Sequence, residues 1–243
     1  MNGFCAVLKR ELKSYFSTPL GYVFLVFFLG AAGYFLFRDG FFEMRQADLR
    51  LFFERLPLLL IFMVPATAMR LWAEERKSGS IELLLTLPIT IPQAVLGKFF
   101  AAWIFLAIAL LLTFPIPMIV MYLGDPDVGL IITGYLGAFL MAGGFLAIGS
   151  FFSVVTKSQV ISLILALVAS TILVYAGMPS TLDFFSGMLS AGALSVIENL
   201  SFQTHFDSIS RGVIQLKDLS FFVIMIAGWI AASMLVLEER KAA

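Results

Sequence analysis

A single cysteine, Cys5, rules out an intrachain disulfide and a thiolate metal cluster. The one histidine, His205, stands in a polar segment with no second metal ligand at a characteristic spacing, and reads as a loop histidine with its hydrogen bonds satisfied. No glycine-rich phosphate loop ending in Lys-Ser or Lys-Thr occurs, so any nucleotide that drives this protein is bound by another chain. Ser150, Ser153 and Ser170 lack the context of a nucleophile elbow, which disfavours intramembrane hydrolysis. Charge is scarce as well: 13% of residues are charged, against about a quarter in soluble domains.

What is abundant is apolar. Hydrophobic residues make up 60% of the 243, with 26 Phe and a mean hydropathy of +0.99. This composition specifies an all-α polytopic membrane protein with all 243 residues in one membrane domain. Six spans are predicted, over about 20–37, 56–71, 99–123, 130–155, 160–178 and 219–237. The second is the weakest because it is short and contains Pro57 and Pro65, though Leu51 to Phe53 could extend it outward. The first passes into Phe37-Arg38-Asp39 without a small-residue cleavage pattern, and is expected to stay as a span. Span centres hold no Asp, Glu or Lys, which disfavours a proton-coupled carrier.

Six spans place both termini on one side. That side collects Lys9, Arg10, Lys13, Arg70, Arg76, Lys77, Lys98, Lys157, Arg240 and Lys241, ten of the 16 basic residues, and so is expected to be cytoplasmic. Ahead of the first span, residues 2–18 carry Phe4, Val7, Leu8, Leu12 and Tyr15 on one helical face and Lys9, Arg10 and Lys13 on the other. This is the pattern of an interfacial helix on the inner leaflet, ended by Ser17-Thr18-Pro19. Glu11 falls on its apolar arc, either at the edge of that face or, the favoured reading, reserved for a protein partner.

Between spans two and three, the segment from Ala73 to Pro88 reads as a charged turn leading into a short amphipathic helix. It is either a docking surface for a cytoplasmic motor or an ordinary interfacial loop. Gly79 suits a turn, Ser80 can cap the helix that follows, and Glu82 complements its positive end. Small residues fill span four, with Gly143 and Ala147, and Gly149 and Ser153, at a spacing of four. Packing within the chain is the favoured use of that stripe over a dimer seam. Pro115-Ile116-Pro117 should break the outer third of span three, and Gly124-Asp125-Pro126-Asp127 should form an outer turn. The forty residues from Pro179 to Asp218 are too apolar for a linker and too broken for a span. They read as outer or re-entrant helices, forming a lid over an export path or a passive cap, with Phe184, Phe185, His205 and Arg211 as candidate lid residues.

In this order, Lys9-Arg10-Glu11-Leu12, Tyr15-Phe16-Ser17-Thr18-Pro19, the segment from Ala73 to Pro88, Tyr135-Leu136-Gly137, Ile148-Gly149-Ser150-Phe151-Phe152-Ser153, Thr156-Lys157-Ser158-Gln159, Thr204-His205-Phe206 and Arg211-Gly212-Val213 resemble the permease subunit of an ABC-2-type transporter. Within that superfamily they resemble the gliding-motility, GldF-like permeases. The resemblance implies a six-helix half-transporter in a bacterial inner membrane that exports its substrate, pairs with a second permease half and uses two cytoplasmic ATP-binding-cassette subunits. ATP and Mg would sit on those subunits; this chain would bind no cofactor, catalyse no reaction and contact no nucleic acid. A GldG-like membrane protein with a large external domain is a further partner it implies. The family's coupling helix maps onto Glu74, Glu75, Gly79, Ser80, Glu82, Leu83, Leu84 and Pro88, with Ser80 where Thr is common. The alternative is a membrane anchor or assembly subunit of a motility or secretion complex.

Overall fold

The computed structural model describes residues 3–38, 48–81 and 89–242, which are helical with no strand among them. Helix α1 (Gly3–Ser17) is followed by α2 (Pro19–Arg38), α3 (Arg50–Ala68) and α4 (Arg70–Ser78). After these come α5 (Ile91–Leu111), α6 (Pro115–Leu123), α7 (Val128–Val155) and α8 (Gln159–Tyr175). Three short helices, α9 (Pro179–Ser186), α10 (Ala191–Asn199) and α11 (Phe202–Ser210), precede α12 (Leu216–Ala242).

Five segments are long and apolar enough to cross a membrane: Pro19–Arg38, Arg50–Ser78, Ile91–Leu123, Val128–Val155 and Leu216–Arg240. The sixth predicted span is α8, whose 17 residues reach about 26 Å at 1.5 Å per residue, a little under the hydrocarbon core. It bends by 80° into α9. Chain path decides its role. Helix α8 starts beside the last turn of α7, and its Val174 carbonyl accepts a hydrogen bond from Ser201 at the opposite end of the bundle. The chain therefore runs the length of the bundle six times, and α1 and the last turns of α12 lie at the same end.

The second span corrects its prediction. It is not short: α3 begins at Arg50 and, after a one-residue break at Met69, α4 carries the helical path to Ser78. Pro57 and Pro65 sit inside α3 and are tolerated because neighbours bury them. Span three likewise starts earlier than its apolar run suggests. Thr90 and Gln93 form a reciprocal capping box, and Pro92 stands in the first turn of α5. The break expected at Pro115 is present, with Thr113 donating to the Leu110 carbonyl at 2.6 Å and lying 2.7 Å from the Tyr135 hydroxyl. Asp127 then caps α7 by accepting from the Gly129 and Leu130 amides.

Helix α7 is the axis of the bundle. Its small residues admit side chains from its neighbours: a β-carbon at Gly134 would lie 2.5 Å from the Phe53 ring, and one at Gly143 would collide with Trp103 and Ile226. Phe202 and Phe206 of α11 fill the space over Gly144 and Gly137. The stripe thus packs helices within the chain, as favoured from the sequence. Trp103 stacks on Phe139 and donates to its carbonyl at 2.9 Å. On the outside the pattern inverts that of a soluble protein: Tyr22, Val26 and Phe27 of α2, Ile164 and Ile172 of α8, and Ile224 and Leu235 of α12 are exposed, as lipid-facing residues are.

Candidate functional site

A cluster of charged side chains lies at the end of the bundle that carries α1 and the end of α12. The break between α3 and α4 is held there by one residue of α7. Ser153 is fully buried; its hydroxyl accepts from the Trp72 and Ala73 amides and donates to the Met69 carbonyl, each at 3.0 Å. A helix break exposes backbone groups that must find partners at this depth, and Ser153 supplies them. Arg76 donates to the Val154 carbonyl and Arg240 to that of Val155, so two guanidinium groups satisfy the C-terminal end of α7.

Helix α1 does not rest on an open leaflet along its apolar face. Val7 and Phe4 meet Gly97, and Tyr15 stacks on Phe105 at 4.7 Å, so that face is covered by α5. Lys9 and Lys13 stay exposed on the other side. Glu11 has its partners inside the chain. Its Oε1 lies 2.7 Å from Arg10 and 3.3 Å from the Lys98 ammonium of α5. Lys98, only 2% exposed, also pairs with Glu75 of α4 at 2.8 Å and lies 5.1 Å from the centre of the buried Trp72 ring. Arg10 is 3.5 Å from the same Glu75 oxygen. Two cations and two carboxylates therefore join α1, α4 and α5.

Burial alone would raise the Glu11 carboxyl, but the Lys98 ammonium and the Arg10 guanidinium outweigh it and hold the group below its ordinary value. Burial pushes the Tyr15 phenol well up, with the Glu11 charge adding to it. Beside the cluster a cavity of about 410 Å³ opens among α1, α2, α3, α4 and α5, with Arg10, Glu11, Arg70, Glu74, Glu75 and Lys98 in its wall.

The predicted coupling residues separate into groups. Glu74 is exposed on α4, whereas Glu75 turns inward to Lys98 and is an intramolecular partner. Gly79 ends α4 at φ 74°, a left-handed conformation that favours glycine. Its neighbour Ser80 reaches back to the Ser78 hydroxyl at 2.9 Å and the Glu75 carbonyl at 3.5 Å, so its hydroxyl serves the helix behind it. The amides it was expected to cap, together with Glu82, Leu83, Leu84 and Pro88, lie outside the described residues. The charged stretch from Ala73 to Ser78 is the end of α4, not a turn.

The predicted lid residues do not form one unit either. Phe184 is exposed and Phe185 half-buried on α9, their rings meeting edge to face with centroids 5.2 Å apart. His205 is not a loop residue: it is buried on α11, stacks on Phe221 and places Nδ1 2.6 Å from Asp218 and Nε2 3.0 Å from the Asn199 carbonyl. Both ring nitrogens lie within hydrogen-bond distance of oxygen atoms on other residues. Arg211 is exposed at the end of α11, four residues from Asp207. Among the described residues no three His, Cys, Asp or Glu side chains stand together as metal ligands.

Lys98 and Ser153 are the residues that sequence reasoning missed in this role. A lysine about two turns inside an apolar helix was the available signal for the first; nothing local marks the second. Among the described residues, helices are tied by ions at one end, a left-handed elbow leads out of α4, and no Asp, Glu, Lys, Arg or His stands at the middle of the long helices. No curated protein matches the chain. The profile of the ABC-2 family transporter proteins matches residues 20–241, all but the first 19 and the last two residues. With its membrane-spanning helices, this makes the chain a member of the ABC-2 family of transporter proteins, a membrane transport component.

Proposed function

We propose that this chain is the membrane half of an ATP-driven exporter, moved from its cytoplasmic side by an ATP-binding-cassette subunit that docks at the Gly79 elbow. The observation that carries this reading is the ion cluster of Arg10, Glu11, Glu75 and the buried Lys98, which locks the helix leading into that elbow to α1 and α5. A push on the residues after Gly79 reaches α4 directly, and the cluster passes it to α1 and α5 as a unit, because separating buried opposite charges is costly. The clustered basic residues support a cytoplasmic position for this end, with the α9 to α11 segment outside. Two ATPase subunits and a second permease half, identical or homologous, complete the transporter. The GldF-like subfamily and a GldG-like partner rest on the sequence resemblance alone.

A photocrosslinker attached through Ser80→Cys in a Cys5→Ser background, in protein co-expressed with its ATPase, tests the reading. Crosslinking to the ATPase from position 80 and none from Asp127→Cys is the expected result. Equal yields at both positions, or none at 80, would overturn it.

A further inference from the structure

Helices α9 and α10 bury no side chain, yet each carries an apolar face. Helical hydrogen bonding continues past the end of α9, where the Leu189 amide donates to the Phe185 carbonyl at 3.0 Å. Phe184 and Met188 therefore share one face, and they are 74% and 77% exposed. Asp183 and Ser186 turn away from it, exposed as well. Val196 and Leu200 repeat the spacing on α10 and are also exposed, with Glu198 on the opposite side. A cover folded over the bundle would bury such side chains against the spans. Instead, among the described residues, α9 packs mainly against α10, and α10 against α9 and α11.

Depth and direction decide what these faces meet. Helix α8 runs the length of the bundle, and its 17 residues reach about 26 Å, a little short of a hydrocarbon core of about 30 Å. Its lipid-facing stripe of Ile164, Val168 and Ile172 stays exposed as far as Tyr175 at the bend. Helix α9 then departs at 80°. It lies nearly in the membrane plane, at the depth where hydrocarbon gives way to headgroups. We infer that α9 and α10 are an interfacial anchor, lying in one leaflet with Phe184, Met188, Val196 and Leu200 among the acyl chains and Asp183 and Glu198 toward water. Between Lys157 and Arg211 the chain has no Lys or Arg. Its hold on the leaflet is therefore apolar and needs no anionic lipid. A helix pair held in this way is a fixture of the membrane surface, not a cover that swings over the bundle. The inference stands whether or not an ATPase docks at Gly79.

Single spin labels at Phe184→Cys, Val196→Cys and Asp183→Cys, each in the full chain with Cys5→Ser and in liposomes of phosphatidylcholine alone, provide the test. Collisions with oxygen, which concentrates in the bilayer, are compared with collisions with a water-soluble nickel chelate. Oxygen should dominate at 184 and 196, at a depth of about 5–10 Å into the headgroup and acyl boundary. The chelate should dominate at 183. The Val196→Cys label leaves Phe184 and Met188 in place, so its reading is free of any loss of the anchor caused by labelling. Dominance of the chelate at either 184 or 196 would put that helix in water and overturn the inference. Exclusion of both reagents there would put a protein surface, a second copy of the chain, against the face and overturn it equally.

Discussion

Lys98 shows how one residue can hold a membrane domain together. Its ammonium sits among Glu11, Glu75 and the Trp72 ring with almost no access to solvent. Removing Lys98 leaves the part-buried Glu11 and Glu75 with only the exposed Arg10 as a cation partner. Lys98→Met should therefore destabilise the purified protein by about 3–5 kcal/mol, read as a lowered thermal unfolding midpoint. Adding Glu11→Gln and Glu75→Gln to Lys98→Met should recover most of that loss; failure to recover would mean that the cluster is not the source. The cluster also sets an acid limit. Glu11 titrates below its unfolded value, so its contribution is complete above the ordinary carboxylate range and is lost as pH falls through the lower, folded value. Unfolding midpoints should drop on that acid side in the native chain, and the drop should be smaller in Glu11→Gln. Ser153→Ala removes one acceptor for two amides and one donor to a carbonyl at the α3–α4 break, a loss of about 1–3 kcal/mol.

Among the elements, α4 and α11 depart most from what local sequence suggests, and for the same physical reason. Each is defined by partners far along the chain. The residues of α4 read as a charged loop because Glu74, Glu75, Arg76 and Lys77 are consecutive charges, yet Ser153, Val154 and Lys98 accept them into the packed end of the bundle. In the outer segment the short helices differ in kind: α9 and α10 bury no residue, while α11 buries Phe202, His205, Phe206 and Ile209 against α7. Buried side chains therefore tie α11 to the bundle, and none ties α9 or α10. Phe184→Ala should leave the unfolding midpoint unchanged, whereas Phe206→Ala should cost about 3–5 kcal/mol, the range for a fully buried ring. Equal effects would contradict that division. Gly79 belongs at this scale too: its left-handed backbone would resist Gly79→Val by about 1–2 kcal/mol and redirect the chain that leaves α4.

For the whole molecule, much was legible in the sequence because spans are written locally. Apolar runs gave the six passes, Pro115 and Pro117 the break in the third, and Asp127 the outer turn. The small residues of α7 gave its packing role. The candidate site was less legible. Its core joins residues 11, 75 and 98, which only the folded chain brings together, and Glu11 looked like a contact for another protein because its true partner lies 87 residues away. The length of the second span was hidden by Pro57 and Pro65, whose cost depends on neighbours that a linear reading does not see. Six passes put both ends of the bundle's chain on one side. An impermeant thiol reagent applied to intact cells should label Asp127→Cys in a Cys5→Ser background and leave native Cys5 unlabelled; labelling of Cys5 would contradict the orientation.

The central claim is that motion entering at the Gly79 elbow is carried to α1 through buried charge pairs. Spin labels at Lys9→Cys on α1 and Lys157→Cys in the turn between α7 and α8, in a Cys5→Ser complex reconstituted with its ATPase, report that motion as a distance. In the otherwise native complex the distance should change between the ATP-bound and ADP-bound states. In the neutral combination of Glu11→Gln, Glu75→Gln and Lys98→Met the change should vanish while the ATPase remains bound and hydrolyses ATP. An undiminished change in that variant would contradict the account.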